Sequence, residues 1–295
     1  LSEQSNVDYQ ALIAAEGAAW GNAARSLAAK WRPDWQDMRH MRHYAIQDGR
    51  YLEKLFALVQ PGWRVLEIGC SSGVISLEMA RRGAHVEGID VSAEALKIAQ
   101  DYAAEHPPRG SLQYRLADVN CDPLPESYYD LIVALGVLHH LTDVRAALER
   151  IHTALKPNGL LYVSDFLETP TVNALIVGAF TLLLPAEISY RDKIRHLLRL
   201  RTRAIERMKA SMETRGFSPF EGSGRHQNSL EAVHERFHVE WVHIHNAFVR
   251  PVTANLAMPE RLAVLIGRLL LPFDELAVRL RLLQGLCYKL LARRA

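Results

Sequence analysis

Residues 65–73, Val-Leu-Glu-Ile-Gly-Cys-Ser-Ser-Gly, constrain this chain more than any other segment. A short apolar run passes into a turn of small residues and then into a helical pattern. Glycine in such a turn lets backbone approach a ligand closely. A second apolar run ends Gly88-Ile89-Asp90, which puts Asp90 21 residues after Gly69. Strand, tight turn, helix and second strand make the first half of a doubly wound sheet. Ligands bind such sheets at the carboxyl ends of the strands, where the strand order reverses.

The same rhythm continues downstream. Strands are predicted over residues 64–68, 84–89, 112–116, 129–134 and 160–166. Between them lie helical stretches over 73–82, over 93–105 with Ser92 as N-cap, and over 143–155. Residues 156–159, Lys-Pro-Asn-Gly, read as a turn. Strands alternating with helices imply an α/β fold with a parallel sheet covered on both faces. The flanks differ. Residues 9–30 read as helix interrupted at Gly17 and Gly21, and residues 35–59 as helix with a break at Gly49. Beyond the core, 168–236 is mostly helical, 237–249 a strand, 251–283 helical and 286–291 a last strand. The division is an N-terminal helical cap (1–60), a ligand-binding core (61–166), a helical insertion (167–236) and a final part (237–295) with its own insertion at 251–283.

Composition excludes several classes. Of 295 residues, 49% are hydrophobic and 23% charged, as in folded globular proteins. With 35 basic and 33 acidic residues the net charge is +2, so the molecule is not an electrostatic clamp for nucleic acid. Cys70, Cys121 and Cys287 have neither disulfide nor zinc spacing, which suits a reducing compartment. The longest apolar run, 172–185, falls short of the roughly 20 residues of a bilayer span. The first residues show no signal-peptide pattern, and a cytoplasmic location is expected.

A carboxylate at Asp90 can accept both ribose hydroxyls of a nucleoside. The glycines stand at 69 and 73 with Ser71 between them, which departs from the dinucleotide pattern G-x-G-x-x-G. Glu67 before the loop repels pyrophosphate and suits an ammonium group. A nucleoside with a positive amino-acid end fits both features, and S-adenosylmethionine is one.

Glu67-x-Gly69-x-Ser71-x-Gly73 resembles motif I of the class I S-adenosylmethionine-dependent methyltransferases. Residues 130–141, Asp-Leu-Ile-Val-Ala-Leu-Gly-Val-Leu-His-His-Leu, resemble the fourth-strand motif of their ubiquinone/menaquinone-biosynthesis-like branch, and residues 155–161 the turn before the fifth strand. The resemblance covers about residues 40–166. It implies a Rossmann-like seven-stranded sheet of order 3-2-1-4-5-7-6, strand 7 antiparallel, with N-terminal helices and helical insertions after strands 5 and 6. It also implies cofactor contacts from Glu67, Gly69, Cys70, Ser71 and Gly73, and from Asp90 and Val91 after the second strand. Ala117, Asp118 and Val119 frame the adenine, with Leu135 at the end of strand four. The segment 41–51 is expected to cap the cofactor, with Tyr44 or His40 reaching the methionine or acceptor end. Ser71 stands where the family usually has glycine.

Methyl transfer needs mainly proximity and orientation, because the methyl donor is already activated. A hydroxyl acceptor must still lose a proton, and histidine suits that task. His140 and its neighbour His139 are the candidate bases. His40-x-x-His43 and His243-x-His245 have metal-ligand spacing but no carboxylate or cysteine companion, so no metal is expected. The basic residues of 191–209 and the apolar stretches 174–184 and 262–271 allow an anionic or greasy acceptor and peripheral lipid contact. An oligomer stays open. The leading reading is O-methylation of a natural product, sugar or lipid-linked small molecule. N- or C-methylation, and a non-catalytic partner protein that kept the fold, are the alternatives. A nucleic-acid substrate is disfavoured, since Ala134-Leu135-Gly136-Val137 replaces the Asn/Asp-Pro-Pro-aromatic run that grips a base.

Overall fold

A computed structural model describes residues 3–186, 189–191, 193, 219–220 and 228–294. Seven strands form one sheet in the order β3-β2-β1-β4-β5-β7-β6. They are β1 (Arg64–Ile68), β2 (His85–Asp90), β3 (Ser111–Leu116), β4 (Tyr129–Leu135), β5 (Leu155–Phe166), β6 (His238–His245) and β7 (Cys287–Arg293). β7 alone runs antiparallel, wedged between β5 and β6.

The sheet has two buried faces, and strand alternation assigns residues to each. Val65, Leu131, Val133, Leu160 and Tyr162 point to one side, where they meet α3 (Gly49–Leu58) and α4 (Val74–Arg81). Leu66, Ile68, Ile132, Ala134, Leu161 and Val163 point to the other. There they meet α6 (Val144–Ala154), and α8 (Ser229–Arg236) joins the same cluster through Ala232 and Val233. α5 (Ala93–Glu105) starts at Ser92, whose hydroxyl accepts from the Ala95 N–H, as the sequence predicts.

Local differences from the sequence reading have physical causes. α1 (Glu3–Ala28) runs unbroken through Gly17 and Gly21. These glycines serve contact rather than interruption: a Cβ on Gly17 would lie 2.5 Å from the Val91 carbonyl oxygen, and one on Gly21 would lie 2.7 Å from Glu94. Helix 35–59 breaks earlier than Gly49. A short α2 (Trp35–Met38) ends, and a wide π-turn at Tyr44–Asp48 runs straight into α3. Such turns recur at functional sites. Residues 156–159 belong to β5 as a bulge, with Tyr129 opposite Leu155 and Leu131 opposite Leu160. β6 ends at His245, because residues 247–249 turn back on the Asp274 carboxylate, which accepts all three of their N–H groups. The predicted helix 251–283 is two helices, α9 (Val249–Ala254) and α10 (Glu260–Arg279), parted before Pro259.

A smaller apolar cluster joins the π-turn to α9, α10 and α7 (Thr171–Leu183) through Ile46, Phe248, Val252, Val264 and Phe180. α10 crosses the π-turn closely at Gly267, where a Cβ would meet Ile46 at 2.3 Å. Arg42 clamps the crossing through paired bonds to Glu260. Most of residues 191–209 lie outside the described residues. No described helix is long and apolar enough to cross a membrane.

Candidate active site

The loop after β1 is built by positive backbone angles. Gly69, Ser71 and Gly73 have φ of +71°, +47° and +76°. At Gly69 a Cβ would press on Val137 at 3.0 Å, and at Gly73 it would strike the Tyr114 hydroxyl at 2.2 Å. Ser71 takes the left-handed region without a glycine's freedom. Its N–H donates to Asp90 Oδ2 at 2.8 Å, while Ser92 N–H donates to Asp90 Oδ1 at 2.8 Å. Asp90 thus ties the loop to the start of α5. A carboxylate has about four lone-pair sites, so Asp90 can also accept from a ribose hydroxyl. Burial raises its pKa, against the N–H groups of Ser92 and Ser71.

Beside this loop lies a cavity of about 190 Å³. Its wall includes Gly69, Ser71, Asp90, Val91, Ala117, Asp118, Val119, Leu135 and His140. Asp118 Oδ1 accepts from both nitrogens of Asn120, and Oδ2 accepts from the Tyr9 hydroxyl at 2.5 Å. The other expected residues stand back from the wall. Glu67 is 3% exposed and accepts from the Ser76 hydroxyl. Burial pushes its pKa up to about 8, against the Ser76 hydrogen bonds. Cys70 is buried against Gly88, and burial raises its thiol pKa further, so it is a packing residue and not a nucleophile. Tyr44 sits on the π-turn, within electrostatic reach of Glu67, Asp48 and Arg250.

The lid over the cavity is α1 rather than residues 41–51. Ile13, Glu16 and Trp20 line the cavity, together with Phe220. These side chains hold its volume below the roughly 300 Å³ at which ligand pockets begin. The donor set fits a nucleoside with an amino-acid tail.

The two histidines are each held by a carboxylate. His139 Nδ1 lies 2.6 Å from Asp165 Oδ1, and His140 Nδ1 lies 3.1 Å from Glu16 Oε1. Trp20 donates to the same Glu16 oxygen at 2.8 Å and meets the His140 ring edge-on at 5.3 Å. A carboxylate on Nδ1 selects the tautomer that carries its lone pair on Nε2. His140 lines the cavity; His139 is buried behind it, edge-on to Phe166.

Comparison with known proteins fits this geometry. A family model described as a methyltransferase domain matches residues 66–163. The core is a class I methyltransferase domain. The chain is 35% identical over 119 residues to the ubiquinone biosynthesis O-methyltransferase of Aeromonas salmonicida, covering 40% of this chain and 50% of that one. It is 30% identical over 168 residues to the protein of that name from Idiomarina loihiensis, covering 55% and 63%. These relatives carry the name of the branch that the sequence motifs resemble. The match spans only one half to just under two thirds of these relatives. Among solved structures, a geranyl diphosphate C-methyltransferase from Streptomyces coelicolor superposes with a TM-score of 0.52 at 14% identity, over 84% of this chain and 77% of that one. That likeness is one of fold.

Around the methyltransferase domain the sequence reading missed Glu16, Trp20 and Asp165. Asp165 carried a signal, a carboxylate near the carboxyl end of the fifth strand, where such sheets bind ligands. Glu16 carried none, being one polar residue in an alanine-rich helix. Ser71 yields a prediction. A left-handed conformation costs a non-glycine residue roughly 1–2 kcal/mol, partly offset by the greater chain entropy of glycine. Ser71→Gly is expected to stabilise the methyltransferase domain by up to about 1 kcal/mol in urea titrations. Destabilisation would show that the hydroxyl carries a needed contact.

Proposed function

We propose that this protein binds S-adenosylmethionine and methylates a hydroxyl of a small natural-product, sugar or lipid-linked acceptor. The observation that carries the reading is the cavity wall itself. It combines the Gly69–Gly73 loop, the Asp90 carboxylate, Asp118, and a carboxylate-oriented histidine. In this reading Asp90 holds the ribose, while Ala117, Asp118 and Val119 frame the adenine. Tyr9 donates its hydroxyl to Asp118. Glu67, Cys70 and Gly73 shape the loop from behind, Leu135 closes the far wall, and Tyr44 serves the acceptor side. The cofactor, when bound, supplies an activated methyl group. The chain's own residues orient the acceptor, exclude water and take its proton.

The acceptor's lipid-linked character is supported by α10. Leu262, Leu265, Leu269, Phe273, Leu276 and Leu280 are spaced three or four apart and are each about half exposed or more. Such a stripe gives the helix an apolar outer face suited to a membrane surface.

The test is calorimetric titration with S-adenosylmethionine. The Asp90→Ala variant is expected to lose ten- to a hundred-fold in affinity, since a hydrogen bond to a charged group contributes about 1.5–3 kcal/mol. Thermal unfolding of the same variant separates loss of binding from loss of the loop. Wild-type affinity in Asp90→Ala would remove the pocket assignment, and with it this function.

A further inference from the structure

Behind Gly136, on the far side of the cavity, lies a cationic centre that the methyl-transfer reading leaves unused. A Cβ on Gly136 would meet the Phe166 ring at 3.9 Å, so Phe166 backs directly onto the cavity wall. The Arg250 guanidinium lies 4.8 Å from the centre of that ring. Arg250 is deep within the protein, yet 34% of its side-chain surface is accessible. With Phe166, His43 and Tyr44 around it, this accessible part marks a candidate chamber. His43 and Tyr44, on the π-turn opposite, are likewise deep and only partly covered.

The charge around this chamber does not balance. Arg250 donates to Asp48 Oδ2 at 3.1 Å, and Lys289 donates to Asp48 Oδ1 at 2.6 Å. Lys289 also lies 2.6 Å from His245 Nε2. Burial, then the Lys289 cation, lowers the pKa of His245 to about 2, so it is neutral. Burial, then Arg250, lowers that of His43 to about 4, so it is neutral too. Burial opposes the Asp48 carboxylate, and the Lys289 and Arg250 cations overcome it, keeping it ionised. Arg42 is matched by Glu260. Among the described residues, Arg250 and Lys289 share the one carboxylate of Asp48, and burial lowers the pKa of Lys289. Desolvated surplus charge is costly unless a counter-ion completes it. Gln47 shares the face of His43 by helical spacing, and neither atom of its buried amide has a partner among the described residues.

We propose that Arg250, backed by Lys289, binds an anionic group of the acceptor, a carboxylate or a phosphate, in the chamber lined by His43, Tyr44 and Phe166. The proposal rests on the methyl-transfer reading for the word acceptor, not for the anion site. Arginine presents paired donors that match carboxylate and phosphate oxygens. Anchored there, an acceptor would reach past Phe166 toward Gly136 and the paired histidines. Arg250 thus selects and positions the acceptor and takes no part in proton transfer.

The probes are benzoate, phenyl phosphate and their neutral counterpart benzamide, titrated calorimetrically with and without saturating S-adenosylhomocysteine. The wild-type protein is expected to bind an anionic probe at least tenfold more tightly than benzamide. Arg250→Met is expected to abolish that preference while leaving affinity for S-adenosylhomocysteine within twofold. Arg250→Lys, which keeps the charge but not the fork, is expected to fall between. Asp48 retains Lys289 in both variants, so both are expected to fold. Equal or undetectable binding of all three probes by the wild type overturns the proposal, as does a preference that survives Arg250→Met. Failure of S-adenosylhomocysteine to bind would sink the cofactor reading instead, and the titrations without it still decide the anion site.

Discussion

Removal of residues 285–295 is expected to abolish folding. β7 pairs with β5 from Leu160 to Phe166 on one side and with β6 from His238 to His245 on the other. Without it β6 has no neighbour and β5 becomes a bare edge. Leu286, Tyr288, Leu290 and Leu291 are all less than 10% exposed and contribute to the core. At about 1.5–3 kcal/mol for each buried apolar side chain, their loss approaches the whole stability of a typical domain, roughly 5–15 kcal/mol. The deletion also strips Asp48 of Lys289, leaving a buried carboxylate with Arg250 alone. The expected result is a chain without a cooperative thermal transition. A folded truncation with an intact melting curve would make the strand peripheral and the central place of β7 energetically empty.

What the sequence disclosed follows from where local and global preferences agree. β1 was legible because its apolar run is buried on both faces and ends at a glycine that must turn. α5 was legible from its Ser92 cap. β7 was readable as an apolar run after Gly285, but its place between β5 and β6 came from family resemblance, since pairing partners far apart in the chain leave no local pattern. The misreadings concentrate on glycine and proline. Gly17 and Gly21 look like breaks, yet each is a close crossing in which a Cβ would collide with backbone or side chain, while Gly49 joins the π-turn to α3 and donates its N–H to the Tyr44 carbonyl. Lys156-Pro157-Asn158-Gly159 looks like a turn between elements but is a bulge within one strand. The cavity wall contributed by β1, β2 and β4 was legible because motif spacing maps directly onto strand ends. The lid was not. α1 reaches the site through Tyr9, Glu16 and Trp20, which are separated by about a hundred residues from Asp118 and His140 and carry no motif. The cationic chamber was hidden for the same reason. Asp48, Arg250 and Lys289 come from three distant segments and meet only when β7 enters the sheet.

Replacement of the paired histidines is expected to give the largest loss of activity short of unfolding. A hydroxyl at neutral pH is a weak nucleophile, and a positioned base typically contributes 10²–10⁴-fold. Both rings have a carboxylate on Nδ1, the arrangement that puts the proton-accepting lone pair on Nε2 and steadies the cation that results. His140 is the stronger candidate because it lies on the cavity wall, while His139 is buried between Asp165 and Phe166. In our reading His140→Ala lowers turnover by at least a hundredfold with S-adenosylmethionine affinity unchanged. The variant works by proximity alone. His139→Ala should lower turnover at least tenfold but less than His140→Ala, since its ring contacts His140 at 4.0 Å and acts by holding it in place. The opposite pattern, a larger loss with His139 than with His140, would exchange their roles. If neither substitution lowers turnover tenfold while cofactor binding holds, no base is used. A carbon acceptor or one already deprotonated would then replace the hydroxyl, and the two histidine–carboxylate pairs would be fastenings that hold α1 and β5 against the end of β4.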